Sequence, residues 1–186
     1  MNVIDFVSRL KQAEAEPTLY KLGCFGTKFK GKYRLWDCSG LVKGILWGYP
    51  NVEYKSNDVP DTNAYGLINR CRNVSTNFNK IEKGELVWLE GHCGVYIGDN
   101  KVIEASPIWE NGVQVTKLSQ RKWKKHGKLP YIDYTENNVK EDADVTLQEA
   151  YKTIAEAVIN GKYGNGHENR KNKIYEEVRK EVNKLV

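Results

Sequence analysis

The chain has 186 residues, 40% of them hydrophobic and 11% aromatic, with a net charge of +5. These values fit one ordinary globular domain, or one domain with a small appendage, and exclude a disordered chain. No apolar run is long enough to span a membrane as a helix, so no membrane partner is expected.

The opening stretch, "MNVIDFVSRLKQAEAE", predicts an amphipathic helix with Val3, Ile4, Val7 and Leu10 at helical spacing. A secretion signal needs a basic start and a continuous apolar centre, and both are missing. Synthesis in the cytoplasm without a signal peptide is therefore expected. The next stretch, "AEPTLYKLGCFGTKFKGKY", is glycine-rich and reads as irregular. "CSGLVKGILW" predicts a buried helix with Leu41, Val42, Ile45 and Leu46 on one stripe. After a polar loop ending at Pro60, Asp61 is placed to cap another helix, whose face would be Ala64, Leu67, Ile68 and Cys71.

The pattern then changes. "GELVWLE", "CGVYIG", "KVIEAS" and "GVQVTKL" are short runs rich in Val, Ile, Tyr and Trp, and read as strands. "GDN", Gly98 to Asn100, is a hairpin turn signal. Helices followed by an antiparallel sheet give an α+β fold class. Between Lys117 and Lys128, "KLSQRKWKKHGK" carries six Lys or Arg and no acid. Such a run suits a polyanion, nucleic acid or an anionic cell wall, but a solvated face is the commoner explanation. No nucleic-acid motif accompanies it, so no nucleic-acid partner is expected.

"DYTENNVKEDADVT" has almost nothing to bury and reads as a linker. Beyond it, Leu147, Ala150, Tyr151, Ile154, Ala155, Val158 and Ile159 form a helical stripe, ended by Gly161, Gly164 and Gly166. A second stripe holds Ile174, Val178, Val182 and Leu185. The organisation expected is a domain over 1–134, a linker over 135–146 and a small helical module over 147–186.

Cysteines stand at 24, 38, 71 and 93. Without a secretion signal they are expected as free thiols, and without a CxxC pair no structural zinc site is expected. Cys38 opens the apolar helix, and a helix N-terminus lowers a thiol pKa, since thiolate is the reactive form. The N–H groups of Ser39 and Gly40 are placed to stabilise an oxyanion. Asp37 suits either a helix cap or a substrate contact.

A cysteine nucleophile needs a base, and the chain has three histidines. His126 lies in the basic run and His167 in the appendage, whereas His92 starts a strand in "LEGHCGVYIG" and has the best context. Glu104 in "KVIEAS" is the candidate to orient it. A three-residue turn at Gly98–Asn100 pairs Ile97 with Lys101, sets Gly94 opposite Glu104, and puts His92 and Glu104 on one face as diagonal neighbours, roughly 7–8 Å apart at the backbone. A two-residue turn would set them on opposite faces. Cys93 should point away from His92 and fill space.

"DCSGLV", "GHCGVYIG" and "VIEASP" together resemble the NlpC-type papain-like cell-wall peptidases, relatives of the CHAP amidohydrolases, over roughly residues 17–134. "CSGLVKGILWG" and the tail "WKKHGKLPYI" resemble the phage and prophage endolysin branch. The resemblance implies a papain-like fold and a hydrolase of peptidoglycan stem peptides, with Cys38 as nucleophile, His92 as base and Glu104 as the third polar residue. Glutamate departs from the His, Asn or Gln common there. Tyr20 would line the nucleophile's pocket, with Trp36, Asp37 and Ser39 as the other substrate-binding candidates. No cofactor or metal is implied. The resemblance leaves endopeptidase and N-acetylmuramoyl-L-alanine amidase both open, with endopeptidase favoured as the commoner activity. A non-catalytic cell-wall-binding protein is the rival from another class.

"VINGKYGNG", "RK" and "VNKL" resemble the Cpl-seven-type cell-wall-binding repeat. By that resemblance Tyr163, Gly164, Asn165, Gly166 and Arg170 would contact muropeptide. The stretch between Lys173 and Val178 is shorter than the repeat's usual one. A wall-binding module tethered to a hydrolase raises its effective concentration at an insoluble substrate. Action on the wall would follow release from the cell by lysis.

Overall fold

Helix α1 spans Val3–Ala15 and begins at Asn2, whose side chain accepts the Asp5 N–H at 2.8 Å. It buries Val3, Phe6, Val7, Leu10 and Ala13. Phe6 rather than Ile4 completes the stripe, because the 3–6–7–10–13 spacing keeps one face turned inward while Ile4 lies at its margin.

The glycine-rich segment expected to be irregular folds into a three-stranded sheet of β1 (Thr18–Tyr20), β2 (Phe25–Lys30) and β3 (Tyr33–Trp36), in the order β1-β3-β2. Gly26 of this sheet and Gly44 of the following helix make room for the Trp36 ring. A Cβ on Gly26, whose φ is +87°, would stand 2.1 Å from Trp36 Cη2. One on Gly44 would stand 2.6 Å from Trp36 Cζ3.

Trp36 leads into α2 (Cys38–Leu46), every residue of which is buried. Helix α3 (Ala64–Ile68) is a little over one turn long. Asn63, not Asp61, caps it, accepting the Gly66 N–H at 2.9 Å. Asp61 is held instead by Lys43 of α2 and by the Tyr54 hydroxyl, and Cys71 lies past the helix end.

The larger sheet is antiparallel and has six strands: β4 (Arg72–Ser75), β5 (Leu86–Leu89), β6 (His92–Gly98), β7 (Lys101–Ala105), β8 (Val113–Lys117) and β9 (Lys125–Lys128), ordered β4-β9-β5-β6-β7-β8. The four strands expected from the sequence are present. β9 lies inside the basic run, where exposed Lys125 precedes buried His126 and Gly127.

The main core joins α1, α2 and α3 to one face of this sheet through Leu86, Trp88, Cys93, Val95, Ile97, Ile103 and Ala105. A smaller cluster around Val87, Val102 and Trp123 covers the other face. The strand alternation thus gives each residue of β6 and β7 a definite side.

The structure, a computed structural model, describes residues 1–135 together with Ile174 and Glu176. The chain divides into two units, Met1–Asn137 and Asn138–Val186. The linker expected over 135–146 lies outside the described residues except for Thr135, and so do His167 and the wall-binding candidates Tyr163, Gly164, Asn165, Gly166 and Arg170. No described helix is long and apolar enough to cross a membrane.

Candidate active site

Cys38 is the first residue of α2, next to Asp37. The Asp37 carboxylate is occupied by the protein. One oxygen accepts the Gly40 N–H at 2.6 Å and the Ser39 hydroxyl at 3.1 Å, and the other accepts the Gly23 N–H at 2.7 Å. Asp37 is therefore a helix cap tied to the preceding loop. Ser39 and Gly40 turn their polar groups to it instead of to a ligand, which leaves the N–H groups of Cys38 and Ser39 at the positive end of α2. Gly40 is required there, because a Cβ would sit 2.1 Å from the Cys24 carbonyl oxygen.

Of the substrate-binding candidates, Trp36 is fully buried against Tyr49 and the two glycines, and is a core residue. Ser39 and Asp37 are buried and engaged with each other. Tyr20 is only partly buried and lies close enough to feel the Cys38 charge. Burial, with the nearby Cys38 and Asp37 charges, pushes its phenol up to about 12, so it is a neutral donor at the site.

His92 begins β6 and faces Cys38 across the edge of the core. Its Nε2 lies 2.6 Å from Glu104 Oε2, which leaves Nδ1 for the side of Cys38, whose charge favours the imidazolium. The hairpin behind this contact combines two devices. Gly98 pairs with Lys101 around a two-residue turn, Asp99–Asn100, both at positive φ. One residue earlier, Ile97 is bulged out of the ladder, so Tyr96 pairs with Val102 and Val95 with Ile103. The bulge restores the register of a three-residue turn, and a Cβ on Gly94 would lie 3.2 Å from Glu104 Cβ. His92 and Glu104 therefore share a face.

Glu104 is completely buried. Its other oxygen accepts the Thr116 hydroxyl at 2.7 Å, and Arg121 Nε lies 2.5 Å from Oε2 as an ion pair without hydrogen-bond alignment. Arg121 also donates to Ser106 Oγ at 3.1 Å. The His92 ring is stacked on Trp123, with centroids 5.7 Å apart and planes inclined by 18°.

The electrostatics favour a charged pair. Hydrogen bonds from Cys93 and then from His92, together with the His92 charge, lower Cys38 to about 5 against the opposing effects of burial and Asp37. For His92, burial disfavours the imidazolium, but hydrogen bonds with Cys38 and Glu104 and their charges outweigh it and raise its pKa. Glu104 is also opposed by burial, yet His92, Thr116 and Arg121 hold it below the ordinary carboxylate range. Near neutral pH the site is a thiolate beside an imidazolium, with a carboxylate behind the ring.

Four contributors escaped the sequence reading: Thr116, Arg121, Trp123 and Cys93. Arg121 and Trp123 stood within the basic run with nothing to tie them to a hairpin. Cys93 does point away from His92, as expected of a strand, but that direction leads to α2 and the Cys38 sulfur, not to inert packing. The alternation of β6 was the available signal. His126 of β9, by contrast, is buried with its Nδ1 in hydrogen-bond contact with Glu85 and takes no part. All four cysteines are free thiols.

A cysteine at a helix start, facing a sheet-borne histidine with a polar partner behind it, defines the papain-like arrangement. Residues 18–129 match the NlpC/P60 family, and the chain belongs to that family. Residues 152–186 match the CW_7 repeat, in keeping with the second resemblance drawn from the motifs.

Among solved structures, the fold is similar to NlpC1 from Trichomonas vaginalis (TM-score 0.50, 17% identity, 67% of this chain and 42% of that one). It is also similar to the P60 domain of an antigen of M. avium subspecies paratuberculosis (TM-score 0.50, 18% identity, 71% and 96% covered). A third is the peptidoglycan hydrolase RipB from Mycobacterium tuberculosis (TM-score 0.50, 19% identity, 71% and 65% covered). The match thus takes in less than half of the Trichomonas chain. A comparison with curated proteins gave no match.

Proposed function

We propose that this chain is an endolysin-like peptidoglycan hydrolase that cleaves an amide bond of the stem peptide through a thioester on Cys38. The observation that carries this reading is the His92–Glu104 contact of 2.6 Å beside Cys38 at the start of α2. Family membership supports it.

In this mechanism the Cys38 thiolate attacks the amide carbonyl, and the oxyanion develops at the N-terminus of α2. His92 gives its Nδ1 proton to the leaving amine as the tetrahedral carbon collapses to the thioester. Water then loses a proton to His92 and attacks the thioester, expelling the Cys38 thiolate, restoring the ion pair and releasing the carboxylic acid, which ionises to solvent. Glu104, fixed by Thr116 and Arg121, orients the ring and stabilises it while charged. No step calls for a metal or cofactor. The unit around residues 147–186 serves as a cell-wall anchor, and the protein acts after release from the cytoplasm that makes it.

Purified protein should clear Gram-positive cell walls. Cys38→Ala should abolish clearing and keep wall binding; a variant that still clears would remove Cys38 as nucleophile. Mass spectrometry of the digest assigns the bond. Truncated peptides left on the glycan mean endopeptidase, the activity favoured here, and intact peptides freed from glycan mean amidase.

A further inference from the structure

The basic run, which the catalytic line uses only through Arg121 and Trp123, also forms a wall of a cavity of about 620 Å3. That volume is within the range of sites that take a small molecule or a segment of a polymer. Lys101, Lys117, Arg121 and Lys122 line it, and Asp99 is its one acid.

Lys101 and Lys117 stand directly opposite each other on β7 and β8. Like charges at a cross-strand position destabilise a sheet. Both are exposed, and among the described residues neither they nor Lys122 has an ion-pair partner. The lysines nearby at 124 and 128 do have partners, Glu90 and Glu82. A further lining residue carries a buried donor without a hydrogen-bond acceptor, Trp123 Nε1.

The geometry points to an oxyanion site at the end of the β7–β8 ladder that binds the phosphodiester groups of an anionic cell-wall polymer. An anion between Lys101 and Lys117 removes their mutual repulsion, and Lys122 extends the positive track for the next phosphate. Choosing a wall polymer as the source rests on the hydrolase reading above. Nucleic acid is the poorer fit, because Trp123 is only 9% exposed and stacked on His92, so it offers no open ring to a base. The site touches the catalytic line through the same two residues, and a polymer held there lies beside the hydrolysed peptide.

Titration calorimetry of the full-length protein with a soluble poly(glycerol phosphate) chain tests this, with single-stranded DNA of equal charge in a parallel arm. Wild type should bind the polyol phosphate more tightly than the DNA, and less tightly as salt rises. Lys117→Glu should weaken binding about tenfold or more, since attraction at one position becomes repulsion. The same change turns the Lys101 pairing attractive, so it should keep or raise Tm, which separates lost affinity from lost folding. Lys122→Glu, outside the sheet, repeats the test. Hydrolysis of a soluble muropeptide, measured separately, should be unchanged in both variants. An inactive wild type would refute the hydrolase reading and leave the binding result standing. Equal affinity of wild type and both variants, or tighter binding of the DNA, would overturn the site.

Discussion

Cys93→Ala isolates the contact that most favours the Cys38 thiolate. Cys93 is fully buried, so no solvent molecule stands ready to replace its S–H. A hydrogen bond to a charged group contributes about 1.5–3 kcal/mol. At about 1.4 kcal/mol per pH unit, its loss moves Cys38 from about 5 up by roughly 1–2 units. The sign follows from the donor stabilising only the ionised form. The assay is the rate of iodoacetamide alkylation of Cys38 against pH, in a background where Cys24 and Cys71 are Ala. The lower inflection should move to roughly pH 6–7, which near pH 5.5 slows alkylation by roughly 3- to 25-fold and at pH 7 by about twofold at most. Cys93→Ser keeps a donor and should keep the wild-type inflection within a few tenths of a unit. An alanine variant that titrates like wild type would refute the assignment of Cys93 as a partner of the reactive sulfur.

Other outcomes follow from the same geometry. Glu104→Gln leaves Arg121 with an unpaired charge beside a fully buried position; melting should show a loss of roughly 2–3 kcal/mol, the low side for a broken buried pair because Arg121 keeps some solvent. Because Glu104 titrates lower when folded, its stabilisation is complete above the ordinary glutamate range and lost as pH falls towards its depressed value; the Gln variant should lack that component of acid destabilisation. Asp37→Asn keeps an acceptor for Gly40 but offers an N–H to the Gly23 N–H, so denaturation should report a loss of about 1 kcal/mol and hydrogen exchange should quicken at Gly23; unchanged stability with lost activity would make Asp37 a substrate contact instead. His126→Ala leaves Glu85 without its hydrogen-bond partner and should cost about 1–3 kcal/mol by denaturation, while turnover per folded molecule stays at the wild-type value.

The parts legible in the sequence were those with strong periodicity or a local signature. α1, α2 and four strands of the large sheet follow from apolar spacing, and the placing of His92 and Glu104 on one face follows from a hairpin count whose register the Ile97 bulge supplies. The small sheet stayed hidden because its strands carry lysines outward and Gly26 against Trp36, so no apolar alternation shows. β9 was masked by the charges around His126, whose burial depends on Glu85, distant in sequence. Trp36 resembles a substrate contact by its neighbourhood alone; only three-dimensional packing reveals that Gly26 and Gly44 have made room for its ring. Arg121 and Cys93 reach the site through long-range contacts that no local pattern encodes.

The bulged hairpin also limits how this chain can change in length. Side chains alternate along paired strands, so whether His92 and Glu104 meet depends on whether an odd or an even number of residues lies outside the ladder between them. The turn supplies two, and Ile97 supplies the odd one. Losing or gaining a single residue anywhere between them turns one of the pair to the other side of the sheet, whereas a change of two preserves the match. Length in this hairpin therefore behaves as a parity condition, and Ile97 satisfies it while keeping its own side chain in the core.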